Sequence, residues 1–294
     1  MKNILIFVSF LLICLKRTII SISVRYSFNL WINSIFPSIF PLMILSDLIL
    51  STDFIRYIAN SIGRIFSKLF KVNKYASYVF LMSMITGCPS NAKYIKDLYD
   101  NKVIYAEEIV KILSMSLLYN PLLIISITPY LRINEQLFLI GINILINLII
   151  GFINRNFNVS YSNNDLKMRK FNLVNSISNG INSLMLILGV IITFNIINSL
   201  LFFKHPLITG ILEITNGIIL INNSYLLYKY KFIFTGILLS LGGFSILMQI
   251  KSIFKDTLID YSLFYKSRII HLLLMIIMCY IYYFISKPIL DPLV

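Results

Sequence analysis

Long apolar runs alternate with short basic segments along the chain, and two of those runs break where a membrane helix would otherwise continue. The first break is Thr86-Gly87-Cys88-Pro89-Ser90-Asn91-Ala92-Lys93, which follows the apolar stretch 78–85. Gly87 and Pro89 stop a helix, since proline lacks an N–H and clashes with the preceding turn, while Ser90 and Asn91 can cap whatever helix starts next. The second break is Ser240-Leu241-Gly242-Gly243-Phe244-Ser245, leading to Gln249. In hydrocarbon every backbone N–H and C=O needs an internal partner, so irregular backbone at membrane depth is either buried in protein or lines a cavity. Two interrupted segments, one in each half, point to a transporter-like inverted repeat with its site at the repeat interface. The plain alternatives are a surface turn, a kink, or glycines used for close helix packing.

The remaining pattern predicts an all-α chain. Residues 1–15, followed by Lys16-Arg17, read as an uncleaved first span or a re-entrant helix, because no small-residue cleavage pattern follows. Residues 18–35, with Arg25, Asn29, Trp31 and Asn33 among apolar positions, read as an interfacial helix with an aromatic anchor. Pro37 and Pro41 start or kink the next helix, which carries Asp47. From 53 to 74 the cations Arg56, Arg64, Lys68, Lys71 and Lys74 mark a basic amphipathic segment at the cytoplasmic surface. In 91–111 the charges nearly cancel, and Lys93 with Asp97 and Glu107 with Lys111 sit four apart, so each pair can share a helix face. The run 109–131 is cut by Asn120-Pro121, and 137–153 completes a first half, 1–153. An Asn- and Ser-rich linker loop, 154–175, separates it from a second half, 176–294, which holds runs at 177–203, 206–221, 230–250 and 269–285. Roughly eight or nine membrane-embedded elements are expected, some of them half-helices.

Composition narrows the class. With 58% hydrophobic and 13% charged residues and a mean hydropathy of +0.83, the chain cannot cover a water-facing surface. It reads as a polytopic helical protein of the cell membrane. The formal charge of +14 lies mostly in segments flanking apolar runs, which assigns it to topology and anionic lipid rather than to nucleic acid. Cys14, Cys88 and Cys279 give neither a disulfide framework nor metal spacing, and His205 and His271 have no acidic companion, so no metal or cofactor is expected. Ser90 has no general base nearby in sequence and no Walker loop is present, which argues against an enzyme and against a built-in ATP motor. A homo-oligomer is left open.

The acids inside apolar runs carry the candidate chemistry. A carboxylate at mid-membrane costs at least about 2.5 kcal/mol, so it normally faces a cavity or a partner. Asp47 and Glu213 are those acids. Glu213, Thr215 and Asn216 from one half are expected to converge with Ser90, Asn91 and Lys93 from the other on a polar solute, with Gln249 and Asn120 completing a ring. N–H groups freed after Gly87 and Gly243 would suit an anionic or carbonyl group. The alternatives are a helix-end role for Asp47, a structural hydrogen bond for Glu213, and a surface pair of Lys93 with Asp97.

Phe-Pro-Ser-Ile-Phe-Pro at 36–41 with Asp47, Gly-Cys-Pro-Ser-Asn-Ala-Lys-Tyr-Ile-Lys-Asp-Leu-Tyr at 87–99, Leu-Glu-Ile-Thr-Asn-Gly at 212–217 and Gly-Gly-Phe-Ser-Ile-Leu-Met-Gln at 242–249 occur in that order. Together they resemble the sporulation integral membrane proteins of YlbJ type, within the nucleoside-recognition or Gate-domain group. That resemblance implies a role in spore cortex formation and two Gate-like halves of inverted topology, related to the core of concentrative nucleoside transporters. The chain departs from the family at Cys88, where tyrosine is usual, at Asp47, where glutamate is usual, and at Met248, where histidine is usual. The last departure counts against a proton or metal role at that position. The rival expectation is a non-transporting scaffold that recruits cortex-assembly proteins through the 56–74 cations.

Overall fold

The computed structural model describes residues 15–157, 166, 171–201 and 205–290. The expected first span, most of the linker 154–175, Cys14 and the end of the run 177–203 lie outside the described residues. Among the described residues every regular element is a helix. Five stretches are long and apolar enough to cross a membrane: Arg17–Ile49, Ile133–Asn156, Leu173–Leu200, Tyr228–Ile253 and Ser262–Ile285. A bent pair, Ala106–Ser116 with Pro121–Ile127, makes a sixth if it is counted as one span. The protein is therefore a multi-pass membrane protein, built from fewer full spans and more half-helices than the apolar runs alone suggest.

The chain opens with α1 (Arg17–Leu30), a π-turn (Trp31–Ile35) and α2 (Phe36–Leu50). This corrects the interfacial reading of 18–35. Trp31 is buried and its indole N–H donates to Leu184 O at 3.0 Å, so it anchors a span to a neighbouring helix rather than to the membrane surface. Pro37 enters at the start of α2 and Pro41 sits inside it, where the loosened ladder at the π-turn accommodates the chain. α3 (Phe54–Asn60) and α4 (Ile62–Phe70) form the basic segment. They bury Ile55, Ile58, Phe66 and Phe70 while Arg56, Arg64, Lys68 and Lys71 stay exposed.

Next come α5 (Ala76–Thr86), α6 (Ser90–Asp100), α7 (Ala106–Ser116), α8 (Pro121–Ile127) and α9 (Ile133–Ile153). The second half holds α10 (Leu173–Leu200), α11 (Pro206–Leu212), α12 (Ile214–Asn222), α13 (Tyr228–Leu241), α14 (Gly243–Ile253) and α15 (Ser262–Leu290). Both halves run in the same order: a hairpin of short helices (α5–α6, α11–α12), an interrupted helix (α7–α8, α13–α14), then an unbroken span (α9, α15). The α11–α12 hairpin closes on two glycines; a Cβ built on Gly217 would lie 2.3 Å from Gly210 Cα, so no larger residue fits. One core packs α5 to α9 against α12 to α15, and a second packs Trp31, Ile35, Ile39 and Met43 against α10.

Candidate functional site

The four interruptions meet inside the protein. α5 ends at Thr86, Gly87 adopts φ +74° and the chain restarts as α6 at Ser90, after a cis Cys88–Pro89 bond. A Cβ built on Gly87 would lie 2.4 Å from Asn120 N, which puts this turn directly on the α7–α8 break. Cys88 N–H donates to Leu118 O there, at 2.7 Å. In the other half Gly242 and Gly243 take φ of +83° and +70°, conformations that favour glycine. Built Cβ atoms place Gly243 3.4 Å from Gly210 O and Gly242 3.4 Å from Tyr119 Oη. Tyr119 thus joins the two halves at their breaks.

The fourth break has no glycine or proline of its own. α11 stops at Leu212, and Glu213 turns extended (φ −144°, ψ 116°) to become the N-cap of α12, so the run read as continuous over 206–221 is a hairpin. Its carboxylate accepts the Asn216 N–H at 2.9 Å and the Thr215 hydroxyl, and it is 2% exposed. A negative group at a helix N-terminus is favoured by the freed N–H groups, which explains how an acid is tolerated in a buried position.

Beside Glu213 lies a chamber of about 250 Å³, walled by α1, α10, α11 and α12. Ser23, Tyr26, Asn195, Asn198, Ser199, Thr209 and Asn216 supply its polar lining. Asn216 Nδ2 donates to Asn195 Oδ1, Asn195 Nδ2 to Ser27 Oγ at 2.5 Å and Asn198 Nδ2 to Thr209 O at 3.3 Å, while Asn198 Oδ1 has no partner among the described residues. The lining offers carboxamides and hydroxyls and no cation, a donor and acceptor set suited to an uncharged hydrogen-bonding solute.

The expected single ring is not formed. Asn216 lines the chamber, with Glu213 and Thr215 hydrogen-bonded behind it, whereas Ser90, Lys93 and Gln249 line a separate cavity of about 70 Å³ between α2, α6, α10 and α14. Lys93 pairs there with Asp47 at 3.3 Å, joining α6 to α2 and replacing the expected contact with Asp97 as its ion pair. Asn91 is spent on the α7 terminus, donating to Ser116 O at 3.0 Å, and α6 has no side-chain cap, so neither Ser90 nor Asn91 caps it. Asn120 caps α8 by accepting the Leu122 N–H at 2.8 Å and reaches Ser38 O at 3.5 Å. Lys111 gives its ammonium to the carbonyls of Lys71, Arg155 and Phe157 at 2.8, 3.0 and 3.2 Å rather than resting on a helix-face pair alone.

A buried network went unforeseen. Arg268 on α15 is 6% exposed and donates through Nη2 to Ser114 O at 2.8 Å and Asn147 Oδ1 at 3.0 Å. Asn147 Nδ2 reaches Leu117 O at 3.2 Å and His271 Nε2 at 3.3 Å, and His271 Nδ1 meets Ser240 Oγ at 2.7 Å. The network ties α7, α9, α13 and α15 together behind the breaks, with the positive group at the C-terminal end of α7, where the helix dipole favours it. Arg268 and His271 at i, i+3 and Asn143 and Asn147 at i, i+4 are the sequence signal, polar pairs sharing one face of apolar helices.

No family model and no solved structure matches the chain. It is similar to the sporulation integral membrane protein YlbJ of Bacillus subtilis (strain 168), at 22% identity over 294 residues, covering 82% of this chain and 72% of the relative. The motif resemblance therefore extends over most of the chain, and the relative is, like this protein, an integral membrane protein.

Proposed function

We propose that the protein acts in sporulation, in forming the spore cortex, as a transporter-like membrane protein for a polar, uncharged solute held in the Glu213 chamber. The name of the Bacillus subtilis relative supports the first part. One observation carries the second: a buried carboxylate at one of the four helix breaks, capping the helix whose Asn216 helps to line a cavity of about 250 Å³. Interrupted helices of this kind are what binding sites at repeat interfaces are made from, and the repeated order of hairpin, interrupted helix and span supports two related halves, which we take to be Gate-like and inverted. In this reading Glu213 orders Thr215 and Asn216, the carboxamides orient the solute, and the Gly87, Gly210, Gly217 and Gly242 contacts allow the hairpins to slide. Replacing the gene in its host by Glu213→Gln, which keeps the side-chain shape, is expected to cut cortex formation at least about tenfold at an unchanged level of membrane-inserted protein. Normal spores from that variant would rule the carboxylate out.

The scaffold reading rests on the exposed cations Arg56, Arg64 and Lys68 of α3 and α4. It predicts the opposite ranking, with neutralisation of those cations more damaging than Glu213→Gln.

A further inference from the structure

The cavity of about 70 Å³ between α2, α6, α10 and α14 is a second site, apart from the Glu213 chamber. Ser90 and Gln249 border it, are 4% and 3% exposed, and hydrogen-bond to nothing among the described residues. Buried polar groups in native proteins are nearly always partnered, so two that open onto the same space call for an occupant with matching polarity. The Lys93 side chain lines the same cavity, with Asp47, its ion-pair partner, outside the lining. α6 begins at this wall with Pro89 as N-cap and no side-chain cap; Ala92 N–H donates to Pro89 O at 3.0 Å, and the partial positive charge of the helix start faces a ligand at Ser90 and Asn91.

Lys93 ammonium, Ser90 hydroxyl, Gln249 amide N–H and the α6 N-terminus are all donors, and the first and last are positive. We infer that this cavity binds a small oxyanion: a phosphate- or sulfate-sized ion, or the carboxylate or phosphate group of a small metabolite. The volume is enough for several waters and too small for a nucleoside or a disaccharide. Ser183 and Ile187 on its far wall lie near the middle of the 28-residue α10, away from both helix ends, which favours a soluble occupant over a lipid phosphate. A cation and a helix start beside Ser90 and Gln249, which can turn an O–H and an N–H toward it, match an oxyanion's acceptors, and Gln249, brought from the other half by α14, closes the site. The inference extends the transport reading to a charged co-substrate site, but binding at it is read without transport.

The test is thermal unfolding of the purified full chain in detergent, with phosphate, sulfate or acetate titrated at matched ionic strength against chloride. Vesicle-like additives containing phosphatidylglycerol serve as the lipid-phosphate arm. The wild type and Lys93→Arg are expected to melt at higher temperature as an oxyanion is added, with saturation. Lys93→Met and Gln249→Leu are expected to need about tenfold more oxyanion or more, as a lost charge-assisted hydrogen bond implies. Glu213→Gln should respond like the wild type, which separates this site from the chamber: failure of the Glu213 reading leaves the oxyanion response standing. No saturable response in the wild type, or the same response in Gln249→Leu, would overturn the inference, since a general salting effect does not depend on one buried amide. A response to the anionic lipid alone would overturn it equally.

Discussion

Two polar regions inside the same apolar fold are built on opposite terms. At the α7–α8 break, four carbonyls are met by donors: Ser114 O by Arg268, Ser116 O by Asn91, Leu117 O by Asn147 and Leu118 O by Cys88 N–H. At the Glu213 chamber and the Lys93 cavity, polar side chains border open volume; Asn198 Oδ1 is buried without a partner among the described residues, and the side chains of Ser90 and Gln249 make no hydrogen bond among them. Carbonyls held by donors fix the backbone, whereas polar side chains bordering open volume can meet a ligand; Asn91 Oδ1, Tyr119 Oη, Asn143 Nδ2 and Arg268 Nε at the break have no partner among the described residues but border neither of the two larger cavities. We read the first region as structural and propose the other two as functional.

The sharpest way to break that comparison is Arg268→Met. It removes both Nη2 hydrogen bonds and leaves Ser114 O and Asn147 Oδ1 without that donor inside hydrocarbon, so stability should fall by about 3 kcal/mol or more. Loss of monodisperse protein on size exclusion, with a large drop in Tm where any survives, is the expected outcome. A variant that melts near the wild type would make the network functional instead. Gly87→Ala comes next. Its φ of +74° and the 2.4 Å approach to Asn120 N make any side chain strained, at a cost of about 1–3 kcal/mol, and the hairpin is displaced from the α7–α8 break. A lowered Tm together with lost function is expected.

Asn198→Leu sharpens the contrast from the other side. It gives up one hydrogen bond, to Thr209 O at 3.3 Å, so the loss in stability should stay near 1 kcal/mol while function falls with the chamber's polarity. Measuring Tm and spore cortex in parallel separates the two effects; equal losses in both would argue for a purely structural asparagine. The smallest effect is expected for Lys68→Ser on the exposed face of α4, within about 0.5 kcal/mol and with normal spores. Lost cortex in that variant favours the scaffold.

How much of this was readable beforehand depended on whether a break carried its own punctuation. Gly87 with Pro89, Asn120-Pro121 and Gly242-Gly243 announce themselves, because glycine and proline act on the backbone locally. The Glu213 break does not: Leu212-Glu213-Ile214 contains no breaker, and the turn exists because Glu213 caps α12 and Gly217 lets α11 fold back against it. Residues 18–35 were misread for a related reason. Trp31 suits a membrane interface and a buried hydrogen bond equally well, and only the Leu184 carbonyl on α10 decides between them. The expected ring divided in two because Asn91 and Asn120 were needed to satisfy backbone at the breaks, a demand created by tertiary crossings. Arg268 was hidden by its place at the edge of a mixed-charge segment, although its i, i+3 companion His271 lies within the apolar run.

The most direct measurement is thermal unfolding of the purified protein against a panel of neutral nucleosides, nucleobases and amino sugars, with Glu213→Gln beside the wild type. Ligand bound to the folded state raises apparent stability by mass action. At least one neutral solute is expected to raise the wild-type Tm in a saturable way and to leave Glu213→Gln unmoved. A panel that shifts neither protein, or shifts both alike, would contradict a solute site at the carboxylate.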